Sequence, residues 1–510
     1  MADTIHVFTD DQKYQYDIHS LFKAFFPKED VKIFCSRAEV SEGEKDPGSC
    51  AAMYRITTAG GRVSFEILKT DELTGEKKQE YRDESPETPA DFDDPHGAQY
   101  RSIIKRLIYR NLRKKTDIRL PWGTLTGIRP VKLFMKGLED GLSDEDIKAR
   151  IRDEYLVSDT RLELGLSIAK TEKKILDPFL HRNGYSLYLG IPFCPTTCLY
   201  CSFTSYPISA YGNLADAYIK ALKKEIDYVA EESEKNRMIS DTVYIGGGTP
   251  TTLSPKQLSD LLSYLRNKLD LSGVKEFTLE AGRPDSITRE KLEAAKEQGV
   301  SRISINPQTM NEKTLKVIGR AHTVKQVYEA FDIARKAGFD NINTDLIIGL
   351  PGEDIKDLIH TLERIRELSP ESVTVHSMAL KRAAGMHEFL KNNPGIQSLN
   401  TPEMTEEADR RIREMGLLPY YLYRQKNMAG NLENIGYAKE GRYGLYNVLI
   451  MEETESIIAL GAGTVTKRVY RDTEGRRTGR IERCDAVKDV RLYIEKTDEM
   501  IERKKRLFAD

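Results

Sequence analysis

Three cysteines crowd one short stretch, YLGIPFCPTTCLYCSF over residues 188–203: Cys194, Cys198 and Cys201, spaced C-x3-C-x2-C. The apolar run over 185–191 predicts a buried strand leading in. Pro192 and Pro195 then interrupt regular structure, so the thiols are expected on a loop. Three thiolates on one loop can serve a single soft metal centre. A structural zinc site needs four ligands, yet the nearest later histidine is His322 and no further cysteine lies close in sequence. An iron–sulfur cluster usually takes four thiolates. With three, one iron is left for another ligand. Zinc, or reduced thiols with a distant fourth ligand, is the alternative.

The elements that must position this loop alternate strand and helix. Strands are predicted over 185–191, 242–247, 276–281, 302–306, 342–350 and 372–378, with helices between them, for example 216–232, 255–269, 323–337 and 355–368. Six such steps predict a parallel sheet with right-handed crossovers. That is fewer strands than a closed eight-stranded barrel needs, and ligands in such folds sit at the C-terminal strand ends. The C-x3-C-x-Y-C pattern resembles the radical S-adenosylmethionine (SAM) enzymes. The resemblance implies an α/β fold, a partial (β/α)6 radical SAM barrel. It also implies a [4Fe-4S] cluster held by Cys194, Cys198 and Cys201, with SAM on the fourth iron.

Each later motif falls at a strand end. GGGTPT (246–251) offers glycines that let backbone approach a ligand closely, and it is similar to the family's GGE element, with Gly247, Gly248 and Thr249 at the matching positions. Glu280 ends the third strand and suits the SAM amine. Gln308, in INPQTM, can bond ribose or carboxylate oxygens, although Asn306-Pro307 departs from the family's S-x-G-V-Q. Arg320, in IGRAHT, brings a guanidinium fork suited to the SAM carboxylate, with His322 beside it. Asp345, in NTDLIIGLPGE, can accept ribose hydroxyls. By the same matching Tyr188, Tyr200, Ala379 and Val465 line SAM sites.

The series YxxIPFCxxxCxYC, GGGTPT, LE, Q, GRxH, NxDLIxGLPG resembles the oxygen-independent coproporphyrinogen III oxidases over about residues 185–470. LPWGTLTGIRP (120–130) and YYLYRQKNMAGNLENIGYA (420–438) resemble the HemZ branch. That implies oxidative decarboxylation of coproporphyrinogen III to protoporphyrinogen IX by a 5′-deoxyadenosyl radical. A flavodoxin- or ferredoxin-like electron donor and an unidentified acceptor are the implied partners. A haem chaperone of the HemW type is the rival from another class. Its H-N-x-x-Y-W element is missing, since residues 430–435 read GNLENI, and no Cys or His occurs between His387 and Cys484. A radical SAM enzyme on another substrate is a further alternative. For a tetra-anionic porphyrinogen, Lys381 and Arg382 after the sixth strand and Arg129 in the LPWGTLTGIRP turn are candidate carboxylate partners; the plainer readings are a solvated basic turn and a packed turn.

Around this centre the chain reads as three regions. Residues 1–180 form an N-terminal α+β domain with a helical connector, with strands over 5–8, 31–35, 51–58 and 61–69, an exposed acidic loop over 71–98, and helices over 99–115 and 144–155. Residues 181–380 are the barrel, and 381–510 a C-terminal α+β region covering substrate, closing with a hairpin at Glu474-Gly475 and a charged surface helix over 488–507. The 510 residues carry a formal net charge of −2, which offers no electrostatic footprint for nucleic acid or membrane. No apolar run is long enough to span a bilayer. The first residues lack a secretory pattern. Cys35, Cys50 and Cys484 have no regular spacing, and a reducing cytoplasm suits both them and a low-potential cluster.

Overall fold

The computed structural model describes residues 4–27, 29–35, 50–58, 62–70, 77–86, 98–180, 182–379, 385–398, 400–425 and 432–509. The chain divides into two units, Met1–Ser167 with Tyr423–Glu433, and Ile168–Leu422 with Asn434–Asp510. This is a coarser division than the three regions read from sequence.

In the first unit, strands β1 (Thr4–Thr9), β2 (Asp30–Phe34), β3 (Cys50–Thr57), β4 (Ser64–Thr70) and β5 (Lys77–Glu84) form one sheet, ordered β2-β1-β3-β4-β5. β1 runs parallel to both β2 and β3, while β3 to β5 are antiparallel. Helices Gln15–Phe25 and Ala98–Thr116 bury Ile18, Leu21, Phe22, Ile104 and Leu107 in a core with Val7, Tyr54 and Phe65. The exposed loop expected over 71–98 is corrected by β5. KKQEYRDE hides its strand character because it lies at the sheet edge, where charge discourages further pairing. Its Arg82 pairs with Glu66 on β4 at 3.2 Å.

The LPWGTLTGIRP stretch is a packed turn. Trp122 is fully buried, and its Nε1 donates to Glu433 Oε2 at 2.8 Å. Arg161 pairs with the other Glu433 oxygen at 2.9 Å. Arg424 donates from Nη1 to the Leu125 carbonyl at 2.7 Å and from its backbone N–H to that of Ile128 at 2.8 Å. A buried carboxylate is tolerable only when so paired.

The second unit holds β6 (Gly184–Ile191), β7 (Phe193–Cys194), β8 (Tyr206–Pro207), β9 (Ile239–Gly247), β10 (Glu276–Glu280), β11 (Arg302–Ser304), β12 (Ile342–Ile348), β13 (Ser372–Ser377), β14 (Leu418–Tyr423), β15 (Asn434–Ala438), β16 (Ser456–Leu460), β17 (Val465–Arg471) and β18 (Arg477–Asp485). The sheet runs β14-β15-β13-β12-β11-β10-β9-β6-β16-β17-β18. Six of these, β6 and β9 to β13, are parallel neighbours, the expected partial barrel. Crossover helices begin with built-in caps: Ser254 with Gln257, Thr323 with Gln326, and Asp354 with Asp357 each form a reciprocal capping box. Helix Pro255–Lys268 then lays Leu258, Leu261, Leu262 and Leu265 into the core. The spacing is that of one helical face, and each leucine contributes about 1.5–3 kcal/mol.

Later chain extends the sheet at both ends. β15 adds antiparallel to β13, and β16 adds parallel to β6 with Ala459 opposite Tyr188. The hairpin at Glu474-Gly475 is present, with β17 and β18 antiparallel and Gly475 at φ +77°. The helix over 488–507 is broken into Val490–Glu495 and Thr497–Phe508, and is more than a surface element. Tyr493 and Lys504 are buried and both bond Glu225, itself fully buried in helix Ala215–Lys235. Lys504→Met removes the cation paired with that buried carboxylate. It should lower stability by about 3–5 kcal/mol in urea unfolding, and an unchanged midpoint would refute the pairing.

Candidate functional site

The cysteine loop leaves β6 and is tied down at both ends. β7 pairs with β8, and Tyr206 N–H donates to the Pro192 carbonyl at 2.7 Å. At its middle, Leu199 N–H reaches the Ile318 carbonyl at 3.0 Å, and Thr196 Oγ1 donates to the Gly319 carbonyl at 3.0 Å. Leu199 and Tyr200 pack on Leu315, Ile318, Ile347 and Met378. From the next strand, Gly248 and Thr249 donate their N–H groups to the Ile191 and Phe193 carbonyls, each at 2.7 Å. A methyl group at Gly248 would sit 2.6 Å from the Phe193 oxygen and 2.9 Å from Cys194 Sγ. Gly247 holds φ +109°, a region that side chains resist. The Thr249 carbonyl is committed as well, accepting from Thr252 N–H at 2.9 Å and Thr252 Oγ1 at 2.7 Å.

Around the thiols, Cys194 Sγ lies 3.6 Å from Thr249 Oγ1, and burial pushes the thiol up to about 11. Arg283 Nη1 lies 3.6 Å from Cys198 Sγ. Arg320, buried, donates from Nε to Tyr200 Oη at 3.2 Å and from Nη1 to the Asn306 carbonyl. His322 is 2 % exposed with both ring nitrogens unpartnered, and burial, then Arg320, lower it to about 3. It is a neutral imidazole, not a cation.

At the neighbouring strand ends, Glu280 accepts from Tyr244 Oη at 2.5 Å. Burial pushes its carboxyl up to about 7, Asp345 adding to the rise and Tyr244 opposing it. Burial alone would raise Asp345 as well, but hydrogen bonding to His376, Asn343 and Thr374 leaves it below the ordinary carboxylate value. Gln308 sits at φ +70° with Oε1 buried and unpartnered, held there by backbone bonds to Asp345 (3.1 Å) and Ile347 (2.9 Å). A strained, non-glycine backbone with an orphan acceptor marks a functional position.

Tyr188, Tyr244 and Tyr446 stack, with ring centroids 4.4 Å apart for Tyr244–Tyr446 and 6.0 Å for each of the other two pairs. Beside them a cavity of about 270 Å³ is lined by Tyr188, Gly247, Tyr446, Ile457, Val465 and Lys467 among others. Tyr188, Gly247 and Val465 thus line one cavity. Ala379 lies two residues beyond the end of β13. Arg129 belongs to the first unit, in the turn before helix Val131–Glu139. Lys381 and Arg382 lie outside the described residues.

A family model, the radical SAM superfamily, matches residues 188–365. The oxygen-independent coproporphyrinogen-III oxidase-like protein HemZ of Bacillus subtilis is 36 % identical over 487 residues, covering 94 % of this chain and 95 % of that one. The chain belongs to the HemZ family. The haem chaperone HemW of B. subtilis is 33 % identical over 54 % of this HemZ-family chain and 69 % of its own. Among solved structures, the radical SAM coproporphyrinogen III oxidase HemN of Escherichia coli aligns at a TM-score of 0.48 and 20 % identity, over 65 % of this chain and 73 % of that one.

Radical SAM membership implies a [4Fe-4S] cluster and SAM, and the donors fit both. Among the described residues no three Cys, His, Asp or Glu side chains gather into a cage for one ion. A cubane asks for something else, since each thiolate takes a different iron. Two guanidiniums beside the loop suit a net-anionic cluster, while Glu280, Asp345 and the orphan Gln308 Oε1 suit the amine and hydroxyls of SAM. Sequence reasoning missed Tyr244, Arg283, His376 and Tyr446. Tyr244 was findable: it stands opposite Tyr188 in the β6–β9 register, two residues before the glycines. Arg283 and Asp285 follow a strand end as an unlike charge pair. Tyr446 carries no local signal, because only the tertiary fold returns its helix to the barrel. No described helix is long and apolar enough to cross a membrane. Gly248→Ala should cost most of the iron bound after anaerobic reconstitution. Gly282→Ala, whose new methyl meets nothing nearer than 3.5 Å, should bind iron as wild type does. Equal iron in the two variants would refute the close-approach role.

Proposed function

We propose that this HemZ-family protein decarboxylates coproporphyrinogen III oxidatively to protoporphyrinogen IX without oxygen. The observation that carries this reading is the match along 94 % of the chain to a coproporphyrinogen-III oxidase-like relative. When bound, the cluster and SAM supply one electron and, by cleavage of the sulfonium, a 5′-deoxyadenosyl radical that takes a hydrogen from a propionate side chain. The porphyrinogen then loses carbon dioxide and one electron to an acceptor, and the propionate becomes a vinyl group. Two propionates react in turn.

The chain's own residues bind and orient. Cys194, Cys198 and Cys201 hold the cluster. Glu280 and the strand-end carbonyls near Gly247 take the SAM amine, Arg320 its carboxylate, and Asp345 and Gln308 its ribose. Tyr188, Tyr200, Ala379 and Val465 line the SAM sites. Residues 381–510 cover the substrate, with Lys381 and Arg382 as partners for its carboxylates. A flavodoxin- or ferredoxin-like protein donates the electron.

The haem-chaperone reading draws on the 33 % identity to HemW. Against it, two polar residues at the place of the chaperone's haem element serve internal packing: Glu433 pairs with Trp122 and Arg161, and Asn434 Oδ1 accepts from Ser377 N–H at 2.8 Å. The deciding assay supplies the reconstituted protein with SAM, a reductant and coproporphyrinogen III without oxygen, and follows 5′-deoxyadenosine and porphyrins by mass spectrometry. Deoxyadenosine with di-decarboxylated porphyrin is expected. Unchanged porphyrin with tight haem binding would overturn the oxidase reading. Cys198→Ser should abolish both cluster absorbance and SAM cleavage.

Glu280 adds a pH signature. Burial pushes its carboxyl up to about 7, and only the anion attracts the SAM ammonium. SAM affinity should therefore rise by up to about tenfold per pH unit as pH climbs toward that value, then level off. Glu280→Gln should bind weakly, with no such rise. A wild-type Kd in Glu280→Gln, read by calorimetry, would remove Glu280 from the amine site.

A further inference from the structure

We propose that Arg283 sets the reduction potential of the cluster by aiming one N–H of a clamped guanidinium at Cys198. The inference rests on the cluster reading above. β10 ends at Glu280, and Pro284 opens a 3-10 turn, Pro284–Ser286, that fixes the backbone at Arg283. Ser286 donates both its N–H (2.9 Å) and its Oγ (2.7 Å) to the Arg283 carbonyl. The Ser286 hydroxyl also lies 2.6 Å from Thr251 Oγ1, at the end of the GGGTPT element. The arginine is therefore mounted on the same scaffold that clamps the cysteine loop.

Its side chain is 3 % exposed. Asp285 takes one edge of the fork, Nε to Oδ1 at 3.0 Å and Nη2 to Oδ2 at 2.9 Å. Nη1 is left for the cysteine loop, reaching Thr196 Oγ1 at 3.1 Å, the Thr196 carbonyl at 3.3 Å and Cys198 Sγ at 3.6 Å. Arg320 also interacts with Cys198, but it divides its donors among that thiol, Tyr200 and the Asn306 carbonyl. His322, close by, is neutral. Arg283 is thus the cation whose direction is fixed toward the thiol sulfur by a bidentate carboxylate. Reduction adds one negative charge to the cluster, and a donor on a ligating sulfur stabilises that charge. Hydrogen bonds to the sulfurs are among the levers that set cluster potentials. Arg283 raises the potential and so eases the first electron transfer.

The test is an anaerobic redox titration of reconstituted protein with dithionite and mediators, without SAM, followed by electron paramagnetic resonance. Iron and sulfide are counted on each sample. Arg283→Met should keep a cluster and move its midpoint down, by a tenfold or greater change in the oxidised-to-reduced ratio, about 59 mV for one electron. Arg283→Lys should move it the same way but less, because one ammonium cannot grip both Asp285 oxygens and still reach the sulfur. Wild-type midpoints in both variants would overturn the proposal and leave Arg283 a purely structural residue. Should the Met variant fail to assemble a cluster, the Lys variant decides alone by the same rule. A wild type that takes up no iron and sulfide would instead bring down the cluster reading itself.

Discussion

Everything at the barrel mouth depends on two backbone chains meeting without side chains between them. The amides of Gly248 and Thr249 reach the carbonyls of Ile191 and Phe193 only because position 248 has no Cβ. That contact fixes the exit of β6 and so the start of the cysteine loop. The β7–β8 pair closes the loop's other end, and the bonds from Leu199 and Thr196 to Ile318 and Gly319 pin its middle. Each tie uses main-chain groups or a short hydroxyl, whose positions follow from the fold rather than from rotamer choice. Three thiols on a short loop are positioned more firmly this way than by packing of their own small side chains.

The site is costly to the fold, and the cost is visible. Gln308 holds a left-handed backbone, His322 keeps two ring nitrogens without partners, and Glu280 carries a carboxyl pushed up to about 7 by burial. Strain and unmet polar groups of this kind persist only where the surroundings over-determine them. Here the surroundings are the parallel ladder β10 to β13 below and well-capped helices around it. The tail contributes as well. Glu225 bonds Gly461 N–H at 2.9 Å as well as Tyr493 and Lys504, so the last helix is tied to the loop beside the cavity.

What could be read from the sequence was what repeats locally. The six parallel strands run as continuous apolar segments, and the motifs sit at their ends because that is where a βα unit exposes backbone. Glu280, at the end of β10, was therefore findable from position, whereas Asp345 lies within β12 and Arg320 beyond helix Glu312–Val317, and both needed the motif around them. β5 was not, since KKQEYRDE places its charges on an exposed edge and has no apolar face to betray it. Nor was Tyr446, which reaches Tyr244 only after the chain has returned to the barrel. Lys504 looks like one more surface charge in ERKKRLF, and only its buried partner, 279 residues away, distinguishes it. The same holds for Trp122 and Glu433, 311 residues apart. Pairings between distant, individually ordinary residues leave no periodic trace.

A barrel with six parallel strands has two exposed edges, and unpaired edges invite adventitious pairing. This chain covers both with residues that follow the barrel: β15 and β14 beyond β13, β16 to β18 beyond β6. That solution has a functional consequence. Tyr446, Ile457, Val465 and Lys467, which line the cavity beside Tyr188 and Gly247, all come from the covering chain. The barrel supplies the strand ends, whereas the edge cover supplies much of the wall. Function resides in such grafted sites more than in the fold that carries them. The HemW chaperone matches 54 % of the chain, the HemZ relative 94 %. The HemZ match therefore extends over parts of the chain that the chaperone match does not reach, and a barrel shared by both leaves those parts as the place to look for what sets the family apart.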